Sequence, residues 1–531
     1  MTAEREIDRR DFLRRSLKVG GYAAGAVIAS ALLDGCGRST PVASTTSTSS
    51  TTSTILGPPT RSQWSALADS MNGTLVRPYD AGYGVDRLLY NSKFADLHPQ
   101  AVAYCSSSDD VARCIDFATA HALSMAARSG GHSYGGYSSC DGLVIDVSRL
   151  NAITVDGSAN TVTIGAGAQL IDVYNVVGNH DRLLPGGSCP TVGIAGLTLG
   201  GGIGVFGRKY GLTSDNLRSL KAVTADGTHV TADGQRHPDL LWASRGGGGG
   251  NFAVATSFIF DVHPMPPVTL FTLQYPWSAA ASMLSAWQHW IGATPDEMWS
   301  NCLLFSQGAS GYLAQVSGVF CGSPSQLTGL LSPLKSAIAA APLASFQGSN
   351  DYLTAMQIEA GCSGLTIAAC HQSPDGVLGR EAYSAKSSYV DAPMSDAQVA
   401  KNVEAVVNLQ GRAPSLGGGL AFDAYGGAIN RVARDATAFV HRDKLACIQA
   451  TYSWSRYSEA SQIAGGQEWL TWLGANVFEP RSGAYQNYID PTLAEWKRAY
   501  YGFNLERLVE VKKKYDPDDL FSFAQSIPVS L

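Results

Sequence analysis

Arg128-Ser129-Gly130-Gly131-His132-Ser133-Tyr134-Gly135-Gly136 follows a short apolar run and holds four glycines in nine residues. Glycine lacks a Cβ, so it reaches positive φ without a clash and lets successive backbone N–H groups converge on an anion. Two more loops of this kind follow, Pro185–Gly211 and Gly246–Asn251. Three such loops between Arg128 and Asn251 suit one large phosphate-bearing cofactor better than three unrelated turns. Gly202-x-Gly204-x-x-Gly207 formally matches the dinucleotide fingerprint, but that motif needs a strand before it and a helix after it. Here glycines precede it and Gly207-Arg208-Lys209-Tyr210-Gly211 opens a helix poorly, so it is not read as one.

Around the loops, short apolar runs alternate with turn residues. Strands are expected at Ala101–Cys105, Ser124–Arg128, Leu143–Asp146 and Thr161–Gly165, with a helix over Asp109–His121. Leu217–Val223 and Thr228–Thr231 suggest a hairpin through Asp226-Gly227. Pro264-Met265-Pro266-Pro267 marks a boundary. Beyond it, helices over Trp277–Ile291 and Gln398–Leu409 interleave with strands at Tyr312–Phe320 and Leu445–Trp454. A single amphipathic helix is expected over Leu493–Tyr515. The fold class is α+β.

The chain has 531 residues, 45% apolar and 15% charged, with 57 Gly. A net charge of −6 lacks the basic footprint of a nucleic-acid binder, so no nucleic-acid partner is expected. No run after residue 35 approaches the ~20 apolar residues of a membrane span, which excludes a polytopic membrane protein.

Residues 1–36 read as an export signal of the twin-arginine type, with Arg9-Arg10-Asp11-Phe12-Leu13 ahead of a Gly/Ala-rich apolar stretch. Two endings are open: lipidation of Cys36 in Leu33-Asp34-Gly35-Cys36, or cleavage after Ala29-Ser30-Ala31. Residues 37–61 are a Ser/Thr-rich tether too poor in apolar groups to fold. The expected location is extracellular or the cell envelope.

Of the 10 cysteines, Cys302 and Cys321 lie in stretches able to pair as strands, and Cys362 and Cys370 close a short loop. Export permits disulfides, but spacing does not give their connectivity. No C-x-x-C, H-E-x-x-H or Cys/His cluster occurs, so no metal site is expected.

Taken in order, Ser129-Gly130-Gly131-His132-Ser133, Cys189-Pro190-Thr191-Val192-Gly193, Gly200-Gly201-Gly202-Ile203-Gly204 and Asn251-Phe252 resemble the berberine bridge enzyme-like FAD-linked oxidases. These are flavoproteins of the vanillyl-alcohol-oxidase, or PCMH-type, superfamily. The tail agrees, with Tyr485-x-Asn487-Tyr488-x-Asp490, Tyr501-Gly502-x-Asn504-x-x-Arg507-Leu508 and Gln525-Ser526-Ile527-Pro528. The resemblance implies a split FAD-binding domain, 62–266 with the returning segment 481–531, around a substrate domain, 267–480, of antiparallel sheet and helices. It implies FAD bound covalently at His132 and Cys189. Further cofactor contacts are implied at Arg128, Ser129, Gly130, Gly131, Ser133, Gly187, Val192, Gly193, Gly196, Gly201, Gly202, Gly204, Asn251, Phe252, Val254 and Asn487.

A neutral imidazole and a thiolate are suitable nucleophiles for an electron-poor ring. The resemblance places Tyr485 as the base that takes a substrate hydroxyl proton. Tyr488 is expected to point the other way along an extended segment. A free tyrosine titrates near 10, so Tyr485 needs a basic neighbour or a hydrogen-bond network. Phe439-x-His441-Arg442 precedes the strand on which Cys447, Gln449 and Thr451 share one face. Gln449 stands where some members carry a glutamate; a glutamine is no base, so it is a candidate hydrogen-bonding residue of the pocket. Val192 occupies a position where valine accompanies oxygen use.

The implied reaction is oxidation of a C–OH group of a small molecule or oligosaccharide, with molecular oxygen reduced to hydrogen peroxide. A dehydrogenase passing electrons to a quinone or protein, and a non-catalytic exported binding protein, stay open as alternatives.

Overall fold

The computed structural model describes residues 56–478 and 482–531. The signal, both candidate processing sites and the tether up to residue 55 lie outside the described residues.

β1 (Thr74–Val76), β2 (Ala101–Tyr104), β3 (Met125–Arg128) and β4 (Leu143–Asp146) form a sheet in the order β1-β2-β4-β3, with β2 and β3 both parallel to β4. Helix α1 (Ser108–Ala120) connects β2 to β3. Ser107 caps it by accepting from the Asp110 N–H, and Asp109 and Asp110 lie in its first turn. Val111, Cys114, Ile115 and Ala118 recur at helical spacing and are all buried. β3 runs directly into the His132 loop. Arg128 at its end pairs in register with Asp146 of β4, and the two side chains form a buried ion pair.

The second sheet is antiparallel. Its strands β5 (Ile153–Asp156) and β6 (Thr161–Gly165) are followed by α2 (Leu170–Gly178), β7 (Arg182–Leu183) and α3 (Ile194–Leu199). β8 (Leu217–Thr224), β9 (His229–Ala232) and β10 (Ala253–Asp261) complete it in the order β5-β6-β10-β8-β9. The β8–β9 hairpin turns through Gly227 at φ +76. β11 (His263–Pro264) pairs with β7, and the chain then leaves this layer.

The third sheet has seven antiparallel strands. They are β12 (Val268–Tyr275), β13 (Met298–Gln307), β14 (Tyr312–Phe320), β15 (Ala344–Asn350), β16 (Ala382–Val390), β17 (Gly417–Ala424) and β18 (Ala446–Trp454), ordered β15-β12-β14-β13-β17-β18-β16. Helices α4 (Ala280–Ala293), α6 (Asp396–Arg412) and α7 (Ala460–Asn476) pack on this sheet, while α5 (Tyr352–Glu359) packs on α2. Trp287 Nε1 donates to Ser300 Oγ at 3.0 Å and Trp469 Nε1 to the Ala405 carbonyl at 2.7 Å, which ties this helical layer to the sheet and to itself. Polar residues pair across the strands on the opposite face, where Asn301 is in register with both Ser317 and Asp423.

The tail departs from the single helix expected over Leu493–Tyr515. It forms α8 (Trp496–Tyr501), a 3₁₀ turn over Gly502–Asn504 and α9 (Leu505–Tyr515). Gly502 sits at φ +50, outside helical space, and the bend carries Asn504 inward. There its Nδ2 donates to the carbonyls of Arg434, Thr437 and Ala438. The Gly202–Gly207 run follows α3 rather than a strand, and Gly207–Tyr210 is a single helical turn. Cys302 lies opposite Val316 where β13 and β14 pair. Cys302 and Cys321 are both free thiols, whereas Cys362 and Cys370 form a disulfide.

Candidate functional site

The three glycine loops and the polar face of the seven-stranded sheet enclose a cavity of about 570 Å³. The loops approach closely because they lack side chains. A Cβ on Gly130 would lie 2.3 Å from the Gly193 nitrogen, and one on Gly193 2.0 Å from Ser129 Oγ. The loop ahead of β18 is clamped onto the same body by Arg442, whose two terminal nitrogens donate to both oxygens of Asp215 at 2.7 Å. The returning tail is clamped by Lys512, which is fully buried and reaches Asp516 at 2.6 Å and the Asn251 carbonyl at 3.0 Å.

The His132 imidazole lines the cavity, stacked on Tyr90 at 4.0 Å, with Nε2 2.8 Å from Thr191 Oγ1. Burial pushes its pKa down to about 3, so the ring is neutral. Cys189 lines the same cavity. Burial first, and then the charge of Glu381, push its thiol up to about 12. The sulfur is therefore held as a thiol rather than a thiolate.

Tyr485 is 1% exposed, and its phenol oxygen accepts from three N–H groups. These are the backbone N–H of Gly202 at 2.9 Å and of Ile203 at 3.2 Å, and Asn487 Nδ2 at 2.9 Å. Burial raises this phenol to about 12, and the three donors act in the opposite direction. The neighbouring Tyr488 is also raised by burial, without such donors. The network asked for in the sequence is made of backbone and one amide, which no side-chain pattern announces.

Tyr488 corrects an expectation. Residues Gln486–Tyr488 form a 3₁₀ turn rather than an extended segment, and in that geometry i and i+3 share a side. The rings of Tyr485 and Tyr488 therefore meet edge to face at 4.9 Å, and both line the cavity. Gln449 also faces it and donates Nε2 to the Tyr134 hydroxyl at 2.6 Å.

Of the other candidate cofactor residues, Arg128, Ser129, Gly130, Gly131 and Ser133 line the cavity, as do Gly187, Val192, Gly193 and Gly196. Gly204, Val254 and Asn487 line it as well. Four others do not reach it. Asn251 Nδ2 faces the carbonyls of Gly247, Gly248 and Gly249, and its Oδ1 accepts from the Ile527 N–H at 2.8 Å, so it shapes the loop and pins the tail. Phe252 is 4% exposed and packs in the core. Gly201 and Gly202 form the turn behind Tyr485, where a Cβ would strike Phe439 or Thr213.

Several cavity residues escaped the sequence reading. Tyr90, Tyr383 and Glu381 come from distant segments joined by the Asn91–Glu381 bridge. Asp423 and Glu359 line the cavity, and burial pushes each carboxyl up to about 7. Asp423 was detectable, since it stands between buried Phe422 and Ala424 in an alternating strand and so belongs to the other face.

The residues present fit a flavin dinucleotide. Arg128 Nη1 is buried beside the cavity with no hydrogen-bond partner among the described residues, which leaves a cationic donor for a phosphate. A Cβ on Gly196 would meet nothing within 4 Å, so this glycine looks into open space.

Fold and site together define an FAD-binding oxidoreductase. A family profile described as "FAD binding domain" matches residues 99–233, and one described as "Berberine and berberine like" matches residues 484–528. The chain is 31% identical to the Uncharacterized FAD-linked oxidoreductase YgaK of Bacillus subtilis (strain 168), over 86% of this chain and 97% of that one. The solved structure of Physcomitrella patens BBE-like 1 superposes with a TM-score of 0.80 at 29% identity, covering 88% of this chain and 99% of that one. A glucooligosaccharide oxidase of Acremonium strictum, whose crystal structure "reveals a novel flavinylation", gives a TM-score of 0.78 at 27% identity, covering 87% and 98%. The chain belongs to the berberine bridge enzyme-like family of FAD-linked oxidoreductases, with its PCMH-type FAD-binding fold.

Proposed function

We propose that this protein oxidises a C–OH group of a small molecule or oligosaccharide, with FAD held covalently by His132 and Cys189 and dioxygen as the electron acceptor. The observation that carries the reading is the phenol oxygen of Tyr485, held by three N–H donors in the wall of the cavity. A base that must pass through a charged state needs such donors, because a buried phenolate is otherwise costly. When bound, the flavin supplies a two-electron acceptor for the hydride of the substrate C–H. Tyr485 takes the hydroxyl proton. Polar groups on the sheet face, among them Asn301 and Asp423, orient the remaining hydroxyls of the substrate. Neutral His132 offers an imidazole that Thr191 Oγ1 orients through its contact with Nε2. The glucooligosaccharide oxidase relative supports a sugar as the donor, and Val192 in the cavity wall supports oxygen use.

We read 62–266 with 481–531 as the flavin-binding part and 267–480 as the substrate part. Export by the twin-arginine route belongs to the same reading, with either lipid on Cys36 or cleavage after Ala31. Intact-mass measurement of the secreted chain separates these endings.

The test of function pairs two measurements. Flavin that stays with acid-precipitated protein supports covalent attachment, and flavin that washes out removes it. Turnover of oligosaccharides and aromatic alcohols, with peroxide yield compared to dye reduction, separates an oxidase from a dehydrogenase. A colourless protein without turnover favours the binding-protein alternative.

A further inference from the structure

Cys189 and Glu381 face a common aromatic enclosure. Tyr90, Tyr134 and Tyr383 line it together with both residues. The Tyr90 ring stacks on His132 at 4.0 Å and meets Tyr383 at 6.4 Å, and Tyr134 meets Tyr383 at 5.0 Å. Behind the larger effect of burial, Cys189 and Glu381 each raise the titration of all three tyrosines, and Glu381 raises that of Cys189, so the thiol and the carboxyl act on one enclosure and on one another.

Glu381 is held firmly. Its N–H donates to the Tyr90 carbonyl at 3.3 Å, and its own carbonyl accepts from the Ser92 N–H at 2.9 Å. Asn91, between those two residues, is buried and bonds both the carbonyl and the N–H of Tyr383. The backbone that carries the carboxyl is thus fixed by a clamp from a segment nearly 300 residues away in sequence. Its side-chain hydrogen bond comes from Ser453, and among the described residues no cation acts on it.

The thiol has a complementary need. Among the described residues no Lys, Arg or charged His acts on Cys189, and Glu381 is the charged group that does. A thiol in that setting becomes a nucleophile only if a neighbouring base takes its proton.

Resting on the covalent-flavin reading above, we propose that Glu381 is the proton acceptor through which Cys189 bonds the isoalloxazine ring. The Cys189 S–H bond breaks and its proton passes to the Glu381 carboxylate. The S–C6 bond forms, the C6 proton leaves, and two electrons remain on the ring. Dioxygen takes those two electrons and two protons and leaves as hydrogen peroxide, which restores the oxidised ring.

The experiment isolates this step in the His132→Ala background, where Cys189 is the single attachment point. Full-length chain made under riboflavin limitation is incubated with FAD, and covalent flavin is followed by fluorescence on denaturing gels. Adding Glu381→Gln should slow covalent incorporation at least about a hundredfold, while non-covalently bound flavin is retained. Glu381→Asp should restore much of the rate.

The pH profile distinguishes a proton acceptor from a structural prop. With Glu381 present the rate should rise to a plateau as its carboxyl ionises at about 7, where the groups facing it are Cys189, Tyr90, Tyr134, Tyr383 and Ser453. In the Glu381→Gln protein it should keep rising with pH, following the thiol itself. Equal rates and equal profiles in the presence and absence of Glu381 would overturn the assignment. Covalent flavin missing from the wild-type protein would instead overturn the attachment reading, and this inference with it.

Discussion

The phenol oxygen of Tyr485 lies 2.9 Å from the backbone nitrogen of Gly202, and the two residues are 283 positions apart. Gly202 sits at φ +83, and a Cβ there would lie 2.4 Å from Thr213 Oγ1. The glycine therefore makes the turn that aims its own N–H and that of Ile203 at one oxygen. Asn487 completes the set from the same 3₁₀ turn that carries Tyr488. This arrangement resembles an oxyanion hole built for a side chain of the protein rather than for a substrate.

In the proposed reaction, removing this oxygen removes the base. Tyr485→Phe should slow anaerobic flavin reduction by about 10²–10⁴-fold with covalent flavin intact, as general-base loss does. Asn487→Leu should produce a smaller loss, because two of the three donors persist. Stopped-flow reduction at 450 nm reads both; a near-wild-type rate in Tyr485→Phe would remove Tyr485 from its role.

The proposed attachment at two points has a spectroscopic consequence. Cys189→Ala should leave flavin held through His132 alone, with an altered visible spectrum and a lower reduction potential. His132→Ala should leave it held through Cys189. A Cys189→Ala protein with an unchanged spectrum would show that the sulfur does not touch the ring.

Much of this site was legible in the sequence for a physical reason. Glycines forced by close backbone approach cannot be exchanged, so Gly130, Gly193 and Gly204 announce loops that pack at contact distance. The strands and helices beside them followed from apolar period and capping, as at Ser107 of α1. What could not be read depends on the path of the chain in three dimensions. The 3₁₀ turn at Gln486–Tyr488 reversed the expected direction of Tyr488, and the left-handed Gly502 split a helix whose apolar pattern was continuous. Asn251 misled because its position beside glycines suggests a ligand contact, whereas its amide is used within the loop. Glu381 was invisible because its importance comes from the Asn91 bridge, a contact between remote segments.

The Cys362–Cys370 disulfide staples a segment that forms one side of the cavity. Glu359, Ala360 and Gly361 line the cavity before it and Leu378 and Gly379 after it, and between them the chain docks on α2. Docking rests on buried Ile171, Cys362 and Cys370 and on His371 Nε2, 3.0 Å from Asp172 Oδ2. A loop this short contributes about 2–3 kcal/mol through its disulfide. Cys362→Ser with Cys370→Ser should therefore raise hydrogen exchange across 358–381 and along α2, with little change in the seven-stranded sheet. Unchanged protection in the segment would show that packing alone holds it.

The cavity carboxyls give stability a defined pH dependence. Burial pushes Asp423 and Glu359 up to about 7, with the charge of Asp423 adding to the effect on Glu359. In the unfolded chain such groups titrate near 4. Between about pH 4 and pH 7 the native state therefore holds protons that the unfolded state has released, and stability falls as pH rises. The contribution is fully present below the unfolded value and is lost as pH passes through the folded one. Asp423→Asn cannot ionise, so its Tm should decline less than that of the wild type between about pH 5 and pH 8, by several degrees at the upper end. The same substitution relieves Glu359 of a like charge, so Glu359→Gln added to Asp423→Asn should change the slope less than Glu359→Gln alone. An Asp423→Asn protein whose Tm falls as steeply as the wild type would show that the Asp423 carboxyl is already ionised at pH 5.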